Sequence, residues 1–145
     1  RVKTTSLRVR VARRRIDDGK PLADGYLAVN PYMYWWNDDV PMIKKIKEYS
    51  AKKYPNVTYR DNSYMQGYMT GLIFVECLRR ADKAGQLNYD GLVKALQSLK
   101  GFETGGLSAP YTNENNKFPV ARVWKANVQK KILEPASDWI TLEKD

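Results

Sequence analysis

The chain contains no histidine and a single cysteine. The first absence removes the commonest general base near neutral pH and the commonest transition-metal ligand. The second excludes an internal disulfide and a structural zinc site built within the chain. Cys77 lies in the apolar run LIFVECL, where it reads as a buried, inert thiol. Long hydrophobic runs are missing too: the longest, about Met69 to Val75, falls well short of the roughly 18 to 20 residues that cross a bilayer. No basic-then-apolar leader opens the chain, which starts RVKTTSLRVRVARRR without Met. That start reads as a processed, truncated, frame-shifted or artificially added one. Neither a P-loop nor a dinucleotide fingerprint occurs, since GFETGGLS lacks the spacing and the lysine. Asp38 and Asp39 are adjacent, but a helix cap with one solvated neighbour accounts for them better than an acid or metal site. No catalytic set remains. The expectation is a chain that is not an enzyme, with no cofactor and no metal.

What is present is ordinary for one globular domain: 145 residues, 43% hydrophobic and 28% charged. The net charge of +9 invites a nucleic-acid reading, so its distribution matters. Residues 1–20 hold eight Lys/Arg against Asp17 and Asp18, a net of +6, which leaves +3 for the other 125 residues. The excess belongs to a terminal arm.

Along the chain, LRVRVA alternates briefly as a strand would, and Asp-Asp-Gly-Lys-Pro at 17–21 reads as a turn. GYLAVNP predicts a buried strand over Tyr26–Val29. Asp38 or Asp39 is placed to cap a helix with Pro41 in its first turn, and Met42, Ile43, Ile46 and Tyr49 form its apolar stripe. Its lysines then make a solvated face. Asn56-Val57-Thr58 fits a glycosylation acceptor, a three-residue match that carries little weight. Asn62 or Ser63 opens SYMQGYMTGLIFVECLRRADKAG, a central buried helix ended by Gly85. Gly67 and Gly71, four apart, predict a smooth stripe for tight packing against a sheet. Asn88 caps a third helix, with Tyr89, Leu92, Val93, Leu96 and Leu99 inward. GLSAPYT and FPVARVWKANVQ flank the turn-rich NENNK as a hairpin or broad loop, and KILEPASDWITLEKD reads as a Pro-broken tail.

These ordered features resemble the carboxyl-terminal part of type I periplasmic solute-binding proteins, the branched-chain amino-acid family that feeds ABC transporters. The residues that carry the resemblance are the Gly-punctuated helix ending Arg-Arg-Ala-Asp-Lys-Ala-Gly, the following Gly-Leu-Val-Lys-Ala-Leu, and Phe-Glu-Thr-Gly-Gly-Leu-Ser-Ala-Pro with its Asn-rich turn. Val-Trp-Lys-Ala and Pro-Ala-Ser-Asp-Trp resemble the closing strand and tail. It runs from about Gly25 to Trp139.

The resemblance implies an α/β, partial type I fold: three main helices, at 40–54, 63–84 and 88–100, packed on short strands, plus a C-terminal hairpin-like segment. It divides the chain into 1–22, an atypical basic arm or added segment, and 23–145, the C-terminal part of the solute-binding fold. It also implies an extracytoplasmic location, a membrane ABC permease as partner, and an amino acid or related organic acid held in an interlobe cleft. The segment NPYMYWWNDDVP would be a hinge passage beside that cleft, with Asn30, Tyr32, Tyr34, Trp35, Trp36 and Asn37 as candidate contacts. For each ring, packing of hinge and lobe without ligand contact is an equally good reading. The family's chains are much longer, so a missing N-terminal lobe is expected, and a fragment with open apolar faces has the means to dimerise. The alternative is a nucleic-acid or anionic-surface module that uses the Arg-rich arm, with the aromatic run as a stacking platform. Asp38 and Asp39 place negative charge where phosphates would pass, which weakens it. A structural or adaptor domain without a ligand is the third reading.

Overall fold

The computed structural model describes residues 24–113 and 118–141. The basic arm 1–22, the LRVRVA strand, the turn at 17–21 and most of the NENNK turn lie outside the described residues. Six elements follow in order: β1 (Leu27–Asn30), α1 (Pro41–Lys53), α2 (Asn62–Lys83), α3 (Tyr89–Gln97), β2 (Val120–Asn127) and β3 (Ile132–Thr141). The chain divides into two compact units. It leaves the first after Pro31 and returns to it at Val120, and Tyr32–Pro119 forms the second.

The first unit is a three-stranded antiparallel sheet in the order β1-β2-β3. Ala28 pairs with Trp124, and Ala126 with Leu133, which sets all four on one face, where they are buried. Trp124 is fully buried. β1 is buried only at alternate positions: Leu27 and Val29 are exposed, whereas Ala28 and Asn30 are not. The buried strand expected over Tyr26–Val29 is therefore an edge strand with one open face.

The tail is a strand as well. Pro135 costs the ladder no essential donor because β3 is an edge. Between Arg122 and Trp124 the register shifts, and β3 carries the extra residues. Ser137 satisfies the groups this frees: its Oγ accepts from Val123 N at 3.0 Å, and its carbonyl accepts from Arg122 Nε at 2.6 Å. The hairpin is thus β2–β3, joined by the turn 128–131 with Lys131 at φ 56°. It is not the pairing across NENNK that the flanking apolar segments suggest.

The second unit is helical. Among its described residues the only β-pairing is an isolated bridge between Phe102 and Tyr111. Ile43, Ile46 and Ser50 form the inner stripe of α1, and Tyr49 is exposed. Ser50 replaces the expected Tyr49 because its small hydroxyl accepts from Arg60 Nε and Nη2, at 3.2 and 3.1 Å. Met65, Met69, Cys77 and Ala81 line the inner side of α2, which packs on α3. α2 ends in a Schellman motif: Gln86 N donates to Ala81 O, Gly85 N to Asp82 O, and Gly85 takes φ 64°.

Several sequence expectations fail here for identifiable reasons. Neither Asp38 nor Asp39 caps α1. Successive turns put Val40 at the cap with Pro41 following, and Asp38 instead pairs with Lys47. Asp61 caps α2, accepting from Tyr64 N at 3.0 Å, in place of Asn62 or Ser63. Gly67 and Gly71 are exposed, with nothing within 4 Å of where a Cβ would stand, because the described residues of this unit contain no sheet to cover them. For the same reason Phe74 and Val75 stay open, and α2 is not a centrally buried helix. On α3, Asn88 caps as expected, accepting from Gly91 N at 2.9 Å. Tyr89, however, points to solvent, and Gly91 and Ala95 are buried instead. Gly91 is required by close approach: a Cβ there would meet Gln86 O at 1.8 Å.

Asn88→Ala and Asp61→Ala should each lower the unfolding free energy by about 1 kcal/mol, whereas Asp38→Ala, which breaks only a surface pair, should stay within about 0.5 kcal/mol. Urea unfolding followed by circular dichroism measures all three. A loss from Asp38→Ala as large as the other two would restore it as the cap.

Candidate functional site

The segment from Asn30 to Asn37 spans the passage from the first unit into the second, which falls between Pro31 and Tyr32. Asn30 closes β1 opposite Arg122 and is buried; its carbonyl accepts from Trp124 Nε1 at 3.5 Å. The other five candidates belong to the second unit.

Tyr32 and Trp35 enter its hydrophobic core. Trp35 meets Tyr64 edge to face at 6.3 Å and 87°, and its Nε1 donates to Thr58 O at 3.3 Å. The Lys47 ammonium lies 5.4 Å from the Trp35 ring, so the ion pair between Lys47 and Asp38 closes over that side. Tyr34 is buried as well, and its ring stacks on Trp36 at 4.7 Å and 7°. A tight turn holds this pair: Asn37 Oδ1 accepts from Tyr34 N at 2.8 Å, and Asn37 N donates to Tyr34 O at 3.1 Å.

The structure therefore brings Tyr34, Trp36 and Asn37 together in one turn and commits Tyr32 and Trp35 to the core. Trp36 and Asn37, both half-buried, are the most accessible of the six. Four rings in five residues carry no period, so the sequence could not sort them. The turn hydrogen bonds do the sorting.

Burial governs the titration of the two inner phenols. Loss of hydration pushes Tyr32 up to about 12, and the hydrogen bond from Asn62 opposes only part of that rise. Burial also raises Tyr34, and the neighbouring Tyr32 adds to it. Burial raises the Cys77 thiol too, which makes it a poor nucleophile. Among the described residues no group of three His, Cys, Asp or Glu could hold a metal ion, and no helix is long and apolar enough to cross a membrane.

A cluster that spacing did not reveal lies where α1 meets the start of α2. The Arg60 guanidinium sits 5.1 Å from the Tyr54 ring and 4.7 Å from that of Tyr64, while it holds Ser50. Lys53 lies over Tyr49 and Tyr54 at 5.6 and 5.7 Å. Tyr49 and Tyr54 stay exposed beside these cations.

A sequence profile of the periplasmic binding protein family matches residues 15–131. The chain belongs to the periplasmic binding protein family. Among solved structures, "a branched chain amino acid ABC transporter from Thermus thermophilus with bound valine" matches with a TM-score of 0.65 and 16% identity, over 83% of this chain and 35% of that one. At that identity the likeness establishes the fold, a partial periplasmic binding protein fold of mixed helix and strand. The chain spans about a third of that protein's length. Comparison with curated proteins gave no match.

Raised phenol values imply a stability that is complete below the ordinary phenol value near 10 and is lost as pH rises from there toward 12, because the unfolded chain releases those protons first. Tyr32→Phe should flatten the loss between pH 10 and 12 by on the order of 2 kcal/mol, read from denaturant midpoints across that range. An unchanged pH profile in the variant would remove Tyr32 from this account.

Proposed function

We propose that this chain is the carboxyl-terminal part of the substrate-binding component of an ABC importer. It works outside the cytoplasm, delivers solute to a membrane permease and performs no catalysis. The observation that carries the reading is the family match over 15–131 together with a chain that crosses between two units at Pro31 and Val120. Proteins that trap a solute by closing two lobes need such crossings.

The solute class is an amino acid or a similar small organic acid, in line with the valine bound in the similar Thermus thermophilus structure. The segment Asn30–Asn37 supplies part of the wall of the solute site. Trp36 offers a ring for the solute's apolar portion, and Asn37 a polar contact beside it. Tyr34 holds these two in place through its stack on Trp36 and its turn with Asn37, and Asn30, Tyr32 and Trp35 complete the segment. Residues 23–145 carry the function, residues 1–22 are a basic arm into which the family match extends as far as residue 15, and the rest of the fold belongs to a longer protein.

Tryptophan fluorescence titrated with a panel of amino acids, valine included, at low and high salt tests the reading. A saturable change with an aliphatic amino acid, insensitive to salt and reduced in Trp36→Phe, is expected. No response to any amino acid, with a response to a single-stranded oligonucleotide that weakens steeply with salt, would overturn it in favour of the Arg-rich arm.

A further inference from the structure

The second unit also buries a small polar lock. Thr104 and Ser108 are 1% and 7% exposed. Thr104 Oγ1 donates to Ser108 O at 3.1 Å, and the same oxygen accepts from Ser108 N at 3.0 Å. Ser108 Oγ donates to Ala109 O at 2.7 Å. Phe102 and Tyr111 close the base of the loop with a pair of backbone bonds, each of 2.8 Å. Two hydroxyls can be hidden from water at little cost only because both are bonded. A loop pinned twice in this way presents its other carbonyls in fixed directions.

Two of those carbonyls reach the segment around Trp36 and Asn37 from either end. Leu107 O accepts from Met33 N at 2.7 Å, just before the turn. Gly105 O accepts from Met42 N at 3.1 Å, just after it in the first turn of α1. Gly105 and Gly106 take φ 68° and 84°, which lets the loop pass from one contact to the other within three residues. A Cβ on Gly106 would stand 3.3 Å from Val40 Cγ1, and Val40 N closes the turn on Asn37 O at 3.1 Å. The bonds between Tyr34 and Asn37 shape the turn, and the loop ties both of its ends to one support.

We infer that the Thr104–Ser108 loop sets where Trp36 and Asn37 stand, with Thr104 as the positioning residue of the solute site. Its functional meaning rests on the solute-binding reading, whereas the position of the turn is measurable without solute. A ring and an amide that meet a small solute must be held before it arrives, because freedom lost on binding is subtracted from affinity.

Nitrogen-15 NMR spectra of the whole chain, free and titrated with valine, test this. Thr104→Val keeps the shape of the side chain and removes the hydroxyl. The expected result is displaced Trp36 indole and Asn37 amide signals in the free variant, and valine binding weakened about tenfold, the scale of one lost hydrogen bond. Thr104→Ser, which keeps the hydroxyl, should restore both. Asn88→Ala, which removes the cap of α3, should lower stability and move neither. Gly106→Ala leaves the Thr104 hydroxyl in place and presses on Val40, so it should displace the same signals and decides the matter where Thr104→Val does not fold. Free-state signals that stay in place would overturn the inference. So would displaced signals with an unchanged affinity, or a Thr104→Ser chain that behaves like Thr104→Val. If the unmodified chain does not bind valine, that failure belongs to the solute reading, and the free-state signals alone decide whether the loop positions the turn.

Discussion

Six side chains organise the helical unit: Ile43, Ile46, Met65, Met69, Leu99 and Leu107 are all but withdrawn from water. They come from α1, from α2, from the second residue after α3 and from the loop beyond it, so burying them together fixes how each element is turned. Each contributes about 1.5 to 3 kcal/mol, and the set cannot be loosened at one place without opening another. The outward lysines of α1 follow from it. So does the fate of the aromatic run, because Tyr32 and Trp35 are drawn into the same core. Trp36 and Asn37 are left at the margin, with the stacked Tyr34 holding Trp36 in place.

That core accounts for what was legible in the sequence. The three helices were readable to within a few residues because their apolar positions recur at helical spacing and because Asn88 and Gly85 mark a start and a stop. Caps were less legible. Asp38, Asp39, Asp61, Asn62 and Ser63 are all suitable cap residues by type. The choice falls to turns closed by backbone hydrogen bonds such as Val40 N to Asn37 O, and these leave Val40 at the cap. The sorting of the aromatic rings was not legible, since it depends on the Asn37 turn and on tertiary burial.

The remaining discrepancies share one cause. The glycines of α2 and the exposed rings beside α3 read as core because their composition belongs to a helix covered on more than one side. The described part of this unit contains no sheet to cover it. The tail misled in the opposite sense: Pro135 spoke against a strand, yet an edge position and the Ser137 contacts accommodate it. In both cases the local pattern was sound, and the partner element decided the outcome. The family fold supplies the context, because this chain spans about a third of the similar solved protein.

Whether the turn at Trp36 and Asn37 meets a solute decides the function. A nitrogen-15 NMR spectrum of the labelled chain, recorded during titration with amino acids, follows each indole N–H and side-chain amide separately. The signals of Trp36 and Asn37 should move saturably with one solute while that of Trp124, enclosed in the sheet unit, stays in place. If no signal of the Asn30–Asn37 segment moves at saturating concentrations of any amino acid, the claim that this segment forms a solute site is contradicted.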